Sequence, residues 1–237
     1  TSTGVPLLDA ELNEQAIILI YMLRRAIQNV FGDGAKGDGF KVIESTTSNE
    51  NNFTISGGDG TIDGALPVFV QGWMPVNEDD LEYTGQTWDG GVASLTTPSG
   101  ADRTDEVYID VYYDEVSPAG DSNIQDPSIG FETSRRVRLR WKVKVAEGGS
   151  TPGNYTDGDG IEHWTLKLAT LNRLNGNAQI TSAMITDDRN ETNYHMIQEL
   201  AELPTWQSTD KGRAIYVGGV YYLSLIHISE PTRLRRI

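Results

Sequence analysis

DEVYIDVYYDEV, Asp105 to Val116, and RRVRLRWKVKV, Arg135 to Val145, alternate with period two. That period belongs to a pleated strand, whose successive side chains point to opposite faces. One face of the second stretch carries Val137, Leu139, Trp141, Val143 and Val145; the other carries Arg136, Arg138, Arg140, Lys142 and Lys144. In the first stretch Tyr108, Asp110, Tyr112 and Asp114 share a face and lie across from the cations if the two strands pair. A charge ladder, within or between subunits, therefore ranks ahead of an acidic protein partner. Nucleic acid ranks last, because the cationic face has no interleaved aromatics for base stacking.

Composition supports that ranking. The chain has 237 residues and a formal charge of -15. Without its last fifteen residues the balance is 16 Lys and Arg against 33 Asp and Glu, or -17. Such a field repels phosphate. With no cysteine the fold has no disulfide, thiolate nucleophile or Cys-bound zinc to draw on. The longest apolar run, Ala16 to Leu23, is eight residues, far below the ~20 that span a bilayer, and the first residues do not resemble a signal peptide.

Working outward, short alternating runs at Phe40 to Glu44, Asn52 to Ser56, Leu66 to Trp73, Trp164 to Leu171 and Ala178 to Ile185 predict further strands. Gly-Asp-rich stretches at 32–39, 57–64 and 156–160 read as turns; Asp157 and Asp159 are spaced like calcium-loop ligands, but the third ligand position is Ile161. The Asn175-Gly176 pair predicts a hairpin between the last two strands. Residues 117–134 form a connection long enough to be a contact loop. A second helix is expected around 193–203, ending before Pro204, followed by a hairpin turning at Gly218-Gly219.

A long helix is expected at 10–31, with Asp9 as N-cap, Glu11 and Glu14 at the positive end of the dipole and Gly32 as C-cap. Leu12, Ala16, Leu19, Leu23 and Ile27 follow the 3-4 spacing of one face, while Ile17, Ile18, Ile20 and Met22 fill the others. A helix apolar all round is covered on more than one side, by its own β domain or by copies of itself. The candidate docking or oligomerisation residues are Leu12, Ala16, Ile17, Ile18, Leu19, Leu23 and Ile27. The fold class expected is α+β, mainly β: this helix, an antiparallel β domain, a second short helix and a truncated hairpin.

No catalytic signature emerges. His163 and His195 sit in different elements, and neither belongs to a Glu-flanked zinc motif or a nucleophile elbow. Carboxylate pairs such as Glu78 with Asp80 or Asp187 with Asp188 arise by chance in so acidic a chain. The Gly-rich stretches are not followed by a helix carrying Lys-Ser or Lys-Thr. A non-enzyme without cofactor or metal is expected. A tailspike-like receptor protein that binds or cleaves carbohydrate, with Trp73, Trp88 or Trp164 stacking on sugar, is the alternative.

Four stretches resemble a family: GVPLLDAELNEQ (4–15), NNFTISGGDGTIDGALPVFVQGW (51–73), LTTPSGADRTDEVYIDVYYDEV (95–116) and LATLNRLNGNAQITSAMITDDR (168–189). They are similar to the N-terminal parts of uncharacterised tail- or baseplate-associated structural proteins of tailed phages and related contractile particles. The resemblance spans nearly all of 4–222. It implies a virion protein made in the host cytoplasm, partnered by itself and by other tail or baseplate proteins, with no nucleic acid or membrane. It implies an attachment role at the N-terminal end, with any fibre or glycan-binding module C-terminal. Leu223 to Arg233, LSLIHISEPTR, resembles a translated transposase-end sequencing adapter, which implies a metagenomic origin and a truncated frame, and removes functional weight from His227, Arg233, Arg235 and Arg236. The expected division is 1–32 for docking or oligomerisation, 33–189 for the β domain, 190–222 for the short helix and hairpin start, and 223–237 for the adapter-like tail.

Overall fold

A computed structural model describes residues 9–116, 136–190, 208–209, 212–217 and 220–223, with side chains described at 14–114, 116 and 137–190. The chain divides into two compact units, 1–192 and 193–237. The first contains α1 (Asp9–Phe31), β1 (Gly34–Ala35), β2 (Val42–Ile43), β3 (Thr54–Ile55), β4 (Leu66–Phe69), β5 (Val76–Asn77), β6 (Leu81–Glu82), β7 (Arg103–Val116), β8 (Arg136–Ala146), β9 (Tyr155–Thr156), β10 (Glu162–Arg173) and β11 (Ile185–Asp187). In the second, β12 (Ser208–Thr209), β13 (Gly212–Val217) and β14 (Val220–Leu223) form an antiparallel sheet.

The principal sheet runs β11-β10-β7-β8, with β9 also paired to β10, and every pairing is antiparallel. Alternation in β7 sends Val107, Ile109 and Val111 into the core, where they meet Val143 of β8 and Leu168, Ala169 and Leu171 of β10. Two small sheets, β1-β4-β5 and β2-β3-β6, contribute to the same core through Phe40, Phe53, Ile55, Val68 and Val70. Each such side chain contributes on the order of 1.5 to 3 kcal/mol when fully covered. Where the period-two pattern slips, β10 bulges: the register shifts between Lys167 and Ala169, and fully buried Leu168 is left between them.

Two expectations need correction. The described fold is mainly β with one α-helix, so the α+β reading with a second short helix does not hold; period 3.6 is sustained only in α1, and the remaining helical pieces are three-residue 3-10 turns at 83–85, 88–90 and 182–184. The stretch 193–203 itself lies outside the described residues, as does the long connection 117–134. The hairpin expected from Asn175-Gly176 is absent in that form: residues 178–184 leave the sheet, Gln179 makes an isolated bridge to Glu50, and only β11 returns to pair with β10. Ile180 explains the detour, since it is fully buried and its N–H donates to Asn49 O at 2.8 Å. The later hairpin pairs as its sequence suggests, Val217 opposite Val220, and its return strand runs on through Leu223, the first residue of the adapter-like string.

One glycine fixes how α1 meets the sheet. Gly72 has φ +81°, and a Cβ there would lie 2.3 Å from Arg24 O. Gly72→Ala is expected to destabilise the first unit by about 1–3 kcal/mol, through left-handed strain and this backbone clash. Urea unfolding read by tryptophan emission measures it; an unchanged midpoint would show that α1 is not seated here.

Candidate assembly surface

The base of α1 is built in. Gly32, at φ +68°, ends the helix and donates its N–H to Gln28 O at 3.0 Å. Phe31 stacks on Phe69, ring centroids 4.7 Å apart. The Arg24 guanidinium sits 4.1 Å from the centroid of Trp73 and 4.7 Å from that of Trp164, and donates through Nε and Nη2 to Gln71 O at 3.3 and 3.1 Å. Burial pulls its pKa below the ordinary arginine value, against the opposing influence of Tyr113 and Glu162. Gln71 is held in turn by Asp33, which accepts from its N–H at 2.6 Å and its side-chain amide at 2.9 Å.

Between residues 14 and 23 the helix is exposed. Ile17 is 66% exposed, Leu19 67% and Leu23 62%, and Ile18, Ile20, Tyr21 and Met22 are exposed on the remaining faces. Ala16 is exposed too, Ile27 is half-buried at the seat, and the side chain of Leu12 lies outside the described set. Of the two coverings open to the helix, its own β domain supplies only the C-terminal turns. A contiguous apolar surface of this kind marks a site of association.

The cationic strand face is spent inside the subunit. Tyr108, Asp110, Tyr112 and Asp114 lie opposite Lys144, Lys142, Arg140 and Arg138 in register. Arg138 Nη2 is 2.7 Å from Asp114 Oδ2 and Arg140 Nε 3.2 Å from the same oxygen, while Lys144 Nζ reaches diagonally to Asp110 Oδ2 at 2.6 Å. Lys142 makes no ion pair among the described residues: its ammonium donates to Asp89 O at 2.6 Å and Gly91 O at 2.9 Å, and burial lowers its pKa. The backbone of Arg136 pairs with Val116; its side chain is not described.

Sequence reasoning missed the cluster at the centre of that face. Fully buried Asp110 accepts from Lys144 and from the Tyr155 hydroxyl at 2.9 Å, and its Oδ1 lies 2.8 Å from His163 Nδ1. His163 Nε2 faces Asp157 at 3.4 Å, and the ring stacks between Tyr112 and Tyr155. The available signal was the tight turn TDGDG, which folds Asp157 back toward His163. Asp157 Oδ1 accepts from the N–H groups of Ile161 at 2.8 Å and Asp159 at 3.0 Å, and these bonds hold its pKa below the usual carboxylate value.

Glu106 is lowered likewise, by the Thr151 N–H first and Lys167 second. For carboxylates depressed in the folded state, the stabilisation is complete above the unfolded values, about pH 4, and is lost as pH falls through the lower folded values. The urea midpoint is therefore expected to hold from pH 7 to about pH 5 and to fall below pH 4; a midpoint that rises on acidification contradicts this.

The three tryptophans suggested for sugar stacking separate. Trp73 and Trp164 are buried under Arg24. Trp88 instead lines an open cavity of about 310 Å³ with Trp141, Glu78, Asp79 and Asp80. Both indole N–H groups there are already used, Trp88 Nε1 on Trp141 O and Trp141 Nε1 on Val76 O. The pair Asp187 and Asp188 is divided between Arg189 and Lys167. His195 lies outside the described residues. Among the described residues no helix is long and apolar enough to cross a membrane.

Fold and surface together define a mainly antiparallel β domain bearing one anchored, protruding apolar helix. The chain belongs to a family of unknown function (DUF6519), whose profile matches residues 2–183. Among solved structures, a crystal structure of TssK is similar at 8% identity and a TM-score of 0.37, over 76% of this chain and 39% of that one. The chain thus spans about two fifths of the length of that solved chain, and a likeness of this size says nothing about activity or partner. No curated protein matches.

Proposed function

We propose that this protein is a structural subunit of a phage tail or baseplate, non-enzymatic, which attaches a peripheral module to the particle through protein-protein contacts made by α1. The observation that carries the reading is the helix itself: its C-terminal turns are clamped to the β domain while Ile17, Ile18, Leu19 and Leu23 stand in solvent. Covering them yields on the order of 1.5 to 3 kcal/mol each. The similarity of residues 4–222 to tail- and baseplate-associated proteins supports the setting. Gradient sedimentation of particles from the producing cells, probed with an antibody to this chain, tests it. The chain is expected in the particle fraction; recovery solely as free protein removes the reading.

A second reading, carbohydrate binding, draws on the cavity between Trp88, Trp141 and the acids at 78–80. Glycan-array binding that disappears in Trp88→Ala would favour it over the structural role.

A further inference from the structure

Along one line of α1 the exposed positions run acidic, apolar, apolar, basic. With 3.6 residues per turn, Glu14, Ile18, Tyr21 and Arg25 fall within an arc of about 60° on the helix. Ile18 is 50% exposed and Tyr21 60%; Glu14 and Arg25 are exposed as well, and neither has an ion-pair partner among the described residues. Arg24 and Phe31, which seat the helix, lie about a quarter-turn from the middle of this line and half-buried Gln28 about 50° from it, while the four positions of the line are themselves exposed.

We propose that two copies of this chain pair along this line, antiparallel, about a two-fold axis crossing α1 between Leu19 and Ile20. The inference rests on the proposed use of α1 as the assembly surface and adds the partner and its direction. The axis carries position 14 onto 25 and 18 onto 21. Glu14 then meets Arg25 of the partner subunit at both ends, with Ile18 against the partner's Tyr21 between them. Ile17 and Met22 flank the line and exchange places under the same axis. A parallel pairing along this line sets Glu14 against Glu14 and Arg25 against Arg25, repelling at each end, and aligns two helix dipoles that the antiparallel pairing opposes. The contact is isologous, as closed two-fold assemblies require.

The full chain is tested by sedimentation equilibrium in low salt. The wild type is expected to form an even-numbered oligomer. Glu14→Arg places like charges together at both ends and is expected to weaken association about tenfold, while Glu14→Arg combined with Arg25→Glu restores it. Both positions are exposed, so the circular dichroism spectra of the variants should match that of the wild type. The chain has no cysteine, which permits a second test. In the antiparallel pair the two copies of residue 14 are about 16 Å apart, beyond the ~7 Å Cα reach of a disulfide. Glu14→Cys alone should stay uncrosslinked on oxidation, and its mixture with Arg25→Cys should crosslink. Self-crosslinking of Glu14→Cys, a trimer, or a double charge swap that fails to restore association overturns the antiparallel pairing. A wild-type chain that stays monomeric overturns pairing with a second copy altogether. The particle role fails separately, in the gradient experiment.

Discussion

Ile18→Asp is expected to abolish assembly through α1 while leaving the fold of the single chain intact. Ile18 is 50% exposed in the single chain, so its removal creates no cavity. In an assembly the same position is covered, and the substitution forfeits on the order of 1.5 to 3 kcal/mol of apolar burial per copy. It also forces an unpaired carboxylate into an apolar contact, at a further cost of several kcal/mol. For a pair of copies the dissociation constant is expected to rise by at least a thousandfold, on the order of 4 kcal/mol. Leu174→Asp is the matched control, 48% exposed on a turn of the β domain, and should leave assembly intact. Light scattering after gel filtration reads both variants. If Ile18→Asp keeps the wild-type oligomer, α1 is not the assembly surface.

Asp110→Ala should produce the largest loss of fold stability, about 3–5 kcal/mol, because it removes one member of a buried charged network and leaves the others without their partner. Asp110 is fully buried and meets Lys144, Tyr155 and His163 at once. Removing both members of one pair, Asp110→Ala with Lys144→Met, should cost less than the single change. Urea unfolding at pH 7 separates the cases. Equal midpoints for wild type and Asp110→Ala would mean that the cluster does not stabilise the fold.

The parts of this structure legible in the sequence are those governed by local period. β7 and β8 follow from their alternation, including the face on which Asp110 and Asp114 meet the cations, and α1 ends at Phe31 before Gly32. The excursion at 178–184 was not legible, because an Asn-Gly pair marks a turn but does not say where the chain goes next; burial of Ile180 decided that. The Asp110–His163 contact depends on which strand neighbours β7, a long-range choice that neither strand carries by itself. For the candidate surface, the run at 16–23 announced an apolar helix. That its β domain would leave it uncovered followed only from the seat at Arg24, whose aromatic partners come from positions 73 and 164.

That seat also governs how a mechanical load enters the molecule. From Arg24 to Asp9 the helix extends roughly 22 Å at 1.5 Å per residue, a lever whose fulcrum is the pair of indole rings. A sideways pull at its tip is opposed at Arg24 and again at Phe31 against Phe69, two points separated by two turns. One of the rings, Trp164, belongs to β10, which is bound along its length to β7, so the torque passes into one of the two long ladders of the sheet and is shared among many backbone hydrogen bonds. A subunit built this way can be tugged by its helix and yield there before its core is strained.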